Sequence, residues 1–223
     1  MTSTDDTRLS LIVGAGAQGR VILDTWRQQF PSRTFAFLDD DTQLWGSDID
    51  GAKVLGGISR LSLLEGEAVL AIGNNVVRRK LATAWKDVPI QWAKVIHPSA
   101  VVMPSASVAP GAVIFANAVV NTRASVGEHV VVNTGAIVEH DCILERFASV
   151  SPGVCMAGRV QVGEGAFLST GATLCPRVRV GAGTVVGAGA VVVTDLPEGV
   201  LAYGVPARVV RELGPDFAWS RLL

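Results

Sequence analysis

The chain has 223 residues, of which 49% are hydrophobic and 17% charged, so it can bury a sizeable core and is not a disordered chain. Nineteen lysine and arginine residues against 20 aspartate and glutamate residues give a formal charge of −1. This balance argues against a nucleic-acid-binding protein. The mean hydropathy of +0.40 is high, but no apolar run of about 18 residues is present, so we expect no membrane insertion.

The N-terminus and the cysteines indicate the compartment. Residues 1–6 lack the basic start and the apolar stretch of a signal peptide. Cys142, Cys155 and Cys175 form neither a Cys-x-x-Cys pair nor an even disulfide set. We therefore predict a cytoplasmic protein with reduced cysteines.

A change in composition near residue 95 divides the chain. All five tryptophans lie outside residues 96–197, and that stretch is rich in Val, Ala and Gly instead. The dipeptide His97-Pro98 marks the boundary. We assign residues 1–95 to a first domain, 96–197 to a second domain and 198–223 to a C-terminal tail.

The first domain alternates apolar runs with helical segments. Strands are predicted at residues 9–13, 34–38 and 68–72, a helix up to about residue 30, and a basic helix over about 76–85. This alternation predicts a small parallel sheet with helices on both faces, a half-Rossmann-like α/β domain. The basic run 78–80 is interpreted as a solvated helix face, with contact between Arg78 and a diphosphate as the alternative.

The second domain is a six-residue repeat. Seventeen successive positions, each six residues after the last, hold an aliphatic residue or Met, and small residues, mostly alanines, recur four residues further on in each hexad. The large residues are Ile96, Val102, Val108, Ile114, Val120, Val126, Val132, Val138, Leu144, Val150, Met156, Val162, Leu168, Leu174, Val180, Val186 and Val192. A period of six fits neither a helix nor a simple alternating strand. It predicts a solenoid of short strands and tight corners, with three hexads in each 18-residue triangular coil.

The coil period predicts which residues stack. Positions 18 apart should lie on adjacent strands, about 4.8 Å from each other. One column of such positions runs through Pro104, Thr122, His140, Gly158 and Pro176. The next column runs through Arg123, Asp141, Arg159 and Arg177, which predicts a ladder of charges.

His140 is the candidate catalytic residue. Glu139 and Asp141 flank it, and a carboxylate can fix the tautomer of an imidazole and raise its basicity. A solvated surface histidine is the alternative. His97 and His129 lack such neighbours, so we interpret both as structural or solvated. Because the coil phases of the three histidines differ, one protomer cannot assemble a three-histidine metal site, and we predict no metal. A zinc site shared between two subunits, of the γ-carbonic-anhydrase kind, is a weaker alternative.

The solenoid resembles the hexapeptide-repeat acyltransferases, which implies a left-handed β-helix. With its N-terminal domain, the chain resembles the bacterial nucleotide-sugar acetyltransferases that act on amino-sugars of the bacillosamine and perosamine type, and their relatives, the sialic acid O-acetyltransferases. The strings that carry this resemblance are Gly14-Ala-Gly-Ala-Gln-Gly19, Phe37-Leu-Asp-Asp40, Ala71-Ile-Gly-Asn-Asn75, Val120-Asn121, Val138-Glu-His-Asp-Cys142 and Tyr203-Gly-Val-Pro-Ala-Arg208.

The resemblance implies a homotrimer with sites between adjacent solenoids, and acetyl-CoA as co-substrate. It makes His140 the catalytic base, with Asp141 orienting it, and places Gly158 and Arg208 close to coenzyme A. The residues implied to bind the nucleotide-linked amino-sugar are Gly14, Gly16, Gly19, Asp39, Asp40, Gly73, Asn74, Asn75 and Asn121. Relatives often carry a second histidine nine residues after the base. Ser149 stands there in this chain, and it could donate a hydrogen bond to the cofactor but could not shuttle a proton.

The string Gly14-x-Gly16-x-x-Gly19 also fits the dinucleotide fingerprint of NAD-dependent oxidoreductases. Only about 95 residues precede the solenoid, however, and no separate domain for hydride transfer is evident. A glycine turn that binds nothing is a further alternative.

From the resemblance, we expect an acetyl-CoA-dependent N-acetyltransferase for bacterial surface-glycan synthesis. An O-acetyltransferase acting on a sialic-acid-like sugar and an inactive trimeric scaffold stay as alternatives. Cys142 and Cys155 are interpreted as packing residues.

Overall fold

The computed structural model describes residues 8–214. Residues 1–6, on which the signal-peptide prediction was based, lie outside the described residues. Trp219 and the end of the C-terminal tail lie outside them as well. Within residues 8–214, neither helix is long and apolar enough to cross a membrane.

The first domain is a six-stranded sheet with two helices. Its strands lie in the order β3-β4-β2-β1-β5-β6, and every neighbouring pair is parallel except β3 with β4. The elements are β1 (Leu9–Val13), α1 (Ala17–Gln29), β2 (Thr34–Leu38), β3 (Asp48–Ile49), β4 (Ala52–Val54), β5 (Gly66–Leu70), α2 (Asn75–Ala84) and β6 (Ile90–Trp92). Short 3-10 turns occupy Thr42–Leu44 and Ile58–Leu63.

The two helices cover opposite faces of this sheet. Ile12 of β1 packs in one apolar cluster with Trp26 of α1, which is fully buried. Leu11 and Val13 point the other way, into a cluster that includes Ala82 of α2. Because successive residues of a strand point to opposite faces, this division confirms the predicted two-sided α/β domain.

The second domain is a solenoid of seventeen two-residue strands, β7 to β23 in chain order. Each ends on one of the hexad residues predicted from the sequence. The strands are Val95–Ile96, Val101–Val102, Ser107–Val108, Val113–Ile114, Val119–Val120, Ser125–Val126, Val131–Val132, Ile137–Val138, Ile143–Leu144, Ser149–Val150, Cys155–Met156, Gln161–Val162, Phe167–Leu168, Thr173–Leu174, Arg179–Val180, Val185–Val186 and Val191–Val192.

The strands form three parallel sheets, which are the three faces of the solenoid. The first face contains β7, β10, β13, β16, β19 and β22; the second contains β8, β11, β14, β17, β20 and β23; the third contains β9, β12, β15, β18 and β21. Pairs such as Val113 with Val131 confirm the predicted 18-residue coil. At the C-terminal end, β24 (Val200–Gly204) extends the first face and forms a hairpin with β25 (Ala207–Glu212).

The corners share one backbone conformation. From Gly111 to Gly189, every sixth residue has a positive φ. This left-handed region favours glycine and is less costly for Asn and Asp than for branched residues. Half of these corners hold a residue other than glycine. They are Asn117, Arg123, His129, Asp141, Phe147, Arg159 and Arg177.

The outer surfaces of the three faces differ. The α/β domain covers the first face, where Val113 and Val131 join the apolar cluster of α1. The second face is apolar and only partly buried, and its outward residues are Val101, Val119, Ile137, Cys155, Thr173 and Val191. The third face is mainly polar, with Ser107, Ser125, Ile143, Gln161 and Arg179. Within residues 8–214, the second face is therefore the only one of the three that is both apolar and uncovered.

Candidate active site

His140 lies at the corner that follows β14, with about half of its side chain exposed. Its Nδ1 is 2.8 Å from Oδ2 of Asp141. Glu139 takes a different role, because its Oε2 accepts hydrogen bonds from the backbone N–H of His140 at 3.1 Å and from Nδ2 of Asn121 at 3.0 Å. With Asp141 ionised, Nδ1 carries the proton, and the lone pair of Nε2 is available to accept one.

Asp141 is held as a carboxylate by its neighbours. Arg123 donates to it from Nε at 2.7 Å and from Nη2 at 3.1 Å, and Nε of Arg159 lies 3.7 Å away. The hydrogen bonds from Arg123 and His140 keep the pKa of Asp141 well below its ordinary range. These contacts confirm the predicted ladder of charges across adjacent coils.

Gly158 lies one coil beyond His140, as the 18-residue period predicts. A Cβ atom at position 158 would overlap the imidazole at Nε2, so the ring occupies the space that only glycine leaves open. The backbone N–H of Gly158 donates to no acceptor within residues 8–214. The residue that adjoins Nε2 of His140 therefore has a backbone donor without an acceptor in the described part of the chain.

A cleft of about 630 Å³ lies between the α/β domain and the first face. From the α/β domain it is lined by the predicted residues Gly14, Gly16, Asp39, Gly73 and Asn74. The solenoid contributes Asn133, Ser149, Ser151 and Thr170. The sequence analysis missed Asn133, Ser151 and Thr170. Asn133 and Ser151 lie 18 apart in the column that directly follows the aliphatic positions, a polar pattern that could have found them, whereas Thr170 belongs to the next column.

The three glycines of the first loop have different roles. Gly14 has φ +107°, which only glycine adopts readily, and a Cβ at Gly19 would overlap the carbonyl oxygen of Gly14. Gly16 faces open space and precedes α1, whose N-terminus has no side-chain cap. Gly14 and Gly19 therefore form the turn, while Gly16 leaves the positive end of α1 open to the cleft.

The acidic and amide residues nearby also hold the loops. Oδ2 of Asp39 accepts from the N–H of Ala15 at 2.7 Å, while Oδ1 of Asp40 accepts from the N–H of Ile58 at 2.8 Å. Asn74 caps α2 by accepting from the N–H groups of Val76 and Val77. Of the three predicted residues, Asp39 and Asn74 line the cleft as well, whereas Asp40 is not among the cleft residues.

Asn75 and Ser149 meet in the junction between the domains. Oγ of Ser149 donates to Oδ1 of Asn75 at 2.7 Å, and Nδ2 of Asn75 donates to the carbonyl oxygens of Gly165 and Ala166. Both side chains therefore make their hydrogen bonds inside the protein. Arg78 lies with them and is 1% exposed. The interpretation of Arg78 as part of a solvated helix face was wrong; Arg79 and Lys80 are exposed.

His129 is structural, one of the two options given for it. It is buried in a stack with Phe147 and against the edge of Trp92, and burial, together with the charge of Arg78, lowers its pKa to about 4. His97 is partly exposed, with Nδ1 next to Ser99. Within residues 8–214, no group of three or more His, Cys, Asp or Glu side chains could hold a metal ion.

Cys142 is a packing residue. It is buried, its Sγ donates to the carbonyl oxygen of Ala157, and burial raises the pKa of its thiol to about 11, which disfavours the nucleophilic thiolate. Arg208 is exposed on β25, several coils from His140 towards the C-terminal end of the solenoid.

The cleft and His140 lie at opposite edges of the second face. The solenoid residues Asn133 and Ser151 follow strands of the first face, whereas His140 follows a strand of the second. One protomer therefore does not bring the predicted base together with the predicted nucleotide residues of the cleft. Of the predicted substrate residues, Asn121 is the one that lies on the side of His140, through its hydrogen bond to Glu139.

Several proteins of known structure are similar to this chain. The family model of the PglD N-terminal domain matches residues 11–84. The acetyltransferase domain of PglB from Neisseria gonorrhoeae FA1090, solved with acetyl coenzyme A, is 35% identical, with a TM-score of 0.87 over 92% of this chain and 100% of that one. PerB from Caulobacter crescentus, solved with CoA and GDP-perosamine, is 37% identical, with a TM-score of 0.84 over 91% and 97%. WeeI from Acinetobacter baumannii AYE is 28% identical, with a TM-score of 0.84 over 92% and 100%. No curated protein sequence matches the chain.

The match extends over nearly the whole length of this chain, of the acetyltransferase domain of PglB and of PerB, at more than a third identity. The chain belongs to the nucleotide-amino-sugar acetyltransferases of the hexapeptide-repeat type. The predicted family, the acyltransferase class and the fold, an α/β domain followed by a left-handed β-helix, are confirmed.

Proposed function

We propose that this protein transfers the acetyl group of acetyl-CoA to the amino group of a nucleotide-linked 4-amino-4,6-dideoxy sugar, for bacterial surface-glycan synthesis. The contact that carries this proposal is the pair of His140 and Asp141, in which Nδ1 is bound to the carboxylate. Nε2 packs against Gly158, whose backbone N–H has no acceptor within residues 8–214. A base and an oxyanion donor side by side are what acyl transfer requires.

The reaction follows from these positions. The amine nitrogen attacks the thioester carbonyl carbon while Nε2 of His140 accepts its proton. The N–H of Gly158 donates to the oxygen of the tetrahedral intermediate. As the C–S bond breaks, the thiolate of CoA takes the proton from His140. Asp141 stays ionised throughout and offsets the transient charge of the imidazolium. Because the amine attacks the thioester directly, no covalent enzyme intermediate is needed.

The cleft suits the nucleotide part of the substrate. The uncapped N-terminus of α1 at Gly16 presents N–H groups to a diphosphate, and Asp39 and Asn74 supply polar groups on the same rim. The opposite wall is the solenoid, so the loop does not face a second nucleotide-binding half as in NAD enzymes. A nucleotide-sugar therefore fits this cleft better than a dinucleotide.

The site is completed between subunits of a homotrimer. The apolar second face needs a partner, and the cleft and His140 lie at its two edges. Packing of this face against a neighbouring solenoid would bring the His140 of one subunit towards the cleft of the next. Coenzyme A would then lie along the same interface, near Gly158 and Arg208. PglB and PerB were solved with acetyl-CoA or CoA.

The substrates and the cysteines both favour one cellular compartment for the reaction. We place it in the cytoplasm, in agreement with the three cysteines, which are free. Acetyl-CoA and nucleotide-sugars are both reactants that a soluble trimer could take up directly.

A thiol-release assay with acetyl-CoA tests the proposal. We expect CoA release with nucleotide-linked 4-amino-sugars, and no release when the amine is replaced by a hydroxyl. His140→Asn should lower kcat by at least about 10²-fold, the typical contribution of a general base, with little change in the affinity for acetyl-CoA. Release only with sialic-acid-like sugars would favour O-acetylation, and the absence of CoA release with every acceptor would favour an inactive scaffold.

A further inference from the structure

Arg78 is a fully buried cation at the junction of the two domains. It donates to the carbonyl oxygens of Ile72 at 2.7 Å and Gly73 at 3.2 Å, in the loop before α2. It also donates to the carbonyl oxygens of two solenoid corners, His129 at 3.0 Å and Phe147 at 2.9 Å. One guanidinium thus joins the loop to two adjacent coils.

Two side chains complete this arrangement. Nη2 of Arg78 donates to Oδ1 of Asn75 at 3.0 Å and to Oγ of Ser149 at 3.0 Å, and Ser149 in turn donates to Asn75. Ile72, Gly73 and Ser149 line the cleft, whereas Arg78 lies behind them. Arg78 therefore supports three residues of the cleft wall without being part of the wall.

The charge of Arg78 has no carboxylate partner. Within residues 8–214, no Asp or Glu oxygen lies within ion-pair distance of its guanidinium. Burial lowers its pKa to about 9. A buried charge without a counter-ion is costly to keep for stability alone. Beside a cleft suited to a diphosphate, the same charge favours the anionic ligand.

We propose that Arg78 is a positioning residue for the nucleotide diphosphate, holding the loop at Ile72 and Gly73 against the solenoid and adding a positive charge behind it. Ser149 belongs to this support and not to the coenzyme A site. This inference rests on the proposed function, because it assigns the cleft to a nucleotide.

Calorimetric titration with GDP, UDP and dTDP tests the role of Arg78 without the transfer reaction. For the diphosphate that the wild type binds, Arg78→Met should bind at least tenfold more weakly, and Arg78→Lys should recover part of the loss because an ammonium retains the charge and some donors. Arg79→Met is the matched control: Arg79 is the next residue on α2, is exposed, and contacts Glu164 at 3.4 Å. It should bind like the wild type.

Ser149→Ala is the milder second variant, in case Arg78→Met does not fold. Steady-state kinetics should show a several-fold higher KM for the nucleotide-sugar, with kcat and the KM for acetyl-CoA within twofold of the wild type. A rise in the KM for acetyl-CoA instead would overturn the assignment of Ser149. Diphosphate binding by folded Arg78→Met within twofold of the wild type would overturn the role of Arg78. If the wild type binds none of the three diphosphates, the nucleotide assignment itself fails.

Discussion

The imidazole of His140 lies directly over Gly158, so that one added methyl group at position 158 would take the place of Nε2. The two residues are 18 positions apart and occupy equivalent corners of successive coils. The missing side chain of one corner thus makes room for the ring of the other. The ring nitrogen that we propose as the proton acceptor is held against the backbone of the next coil.

Gly158→Ala is therefore expected to lower kcat by about 10²-fold, since a displacement of about 1 Å in a catalytic group can have this effect. The folded state should survive because the ring can swing towards solvent, with half of its side chain already exposed. Turnover numbers and thermal melts measure the two effects separately. Gly189→Asn, a corner glycine with open space around it, serves as the control; equal losses in both variants would contradict this reading.

Gly16→Ala and Gly19→Ala should separate binding from folding in the first loop. A methyl group at Gly19 overlaps the carbonyl oxygen of Gly14, so we expect a loss of about 1–3 kcal/mol in the free energy of unfolding. Gly16 faces open space at the N-terminus of α1, so its variant should unfold like the wild type but bind nucleotide diphosphate more weakly. Urea unfolding and calorimetric titration measure these outcomes. The reverse pattern would exclude Gly16 as the ligand-facing glycine.

Ile137→Glu should dissociate the proposed trimer. Ile137 lies on the apolar second face, where a buried carboxylate would have no partner and would cost several kcal/mol. Activity should fall at least about tenfold, since the two parts of the site would no longer be held together. Gln161→Glu, on the polar third face, is the control. Sedimentation of the wild type as an active monomer, or an unaltered Ile137→Glu trimer, would contradict the shared site.

Stability should fall with acidification through His129. The pKa of His129 is about 4 in the folded chain and about 6.5 when unfolded, so the unfolded state binds the proton first. The free energy of unfolding should therefore decrease as the pH falls from about 6.5 to 4, by at most about 3 kcal/mol. His129→Phe keeps a ring beside Phe147 and Trp92 and should remove this part of the pH dependence. Urea unfolding at pH 7 and pH 4.5 makes the comparison, and parallel losses in both proteins would argue against His129.

The solenoid was predictable because its information is periodic. Counting in steps of six from Ile96 gives the position of every later strand of the solenoid. Counting in steps of 18 places Asp141 between Arg123 and Arg159. In the first domain, the strands at residues 9–13 and 34–38 were correct, whereas β3, β4 and β6 were missed. Those strands have only two or three residues, too few to establish an alternating pattern.

The surroundings of Arg78 could not be predicted in this way. Its neighbours Arg79 and Lys80 suggest a solvated helix face, and that local pattern is correct for both. The acceptors that bury Arg78 come from positions 129 and 147, more than 50 residues away, and they are backbone carbonyls without a side-chain signature. Likewise, the string around Ser149 gave no sign that its hydroxyl is bound by Asn75.

The three unlike faces limit how this chain can change in length. Removing one hexad would keep every aliphatic residue inward, and each coil would still close. Yet everything beyond the deletion would turn by one face, so that polar residues of the third face would follow on from the apolar second face. A change of 18 residues keeps all three surfaces continuous. Insertions and deletions in such proteins should therefore be tolerated in whole coils, although the sequence repeats every six residues.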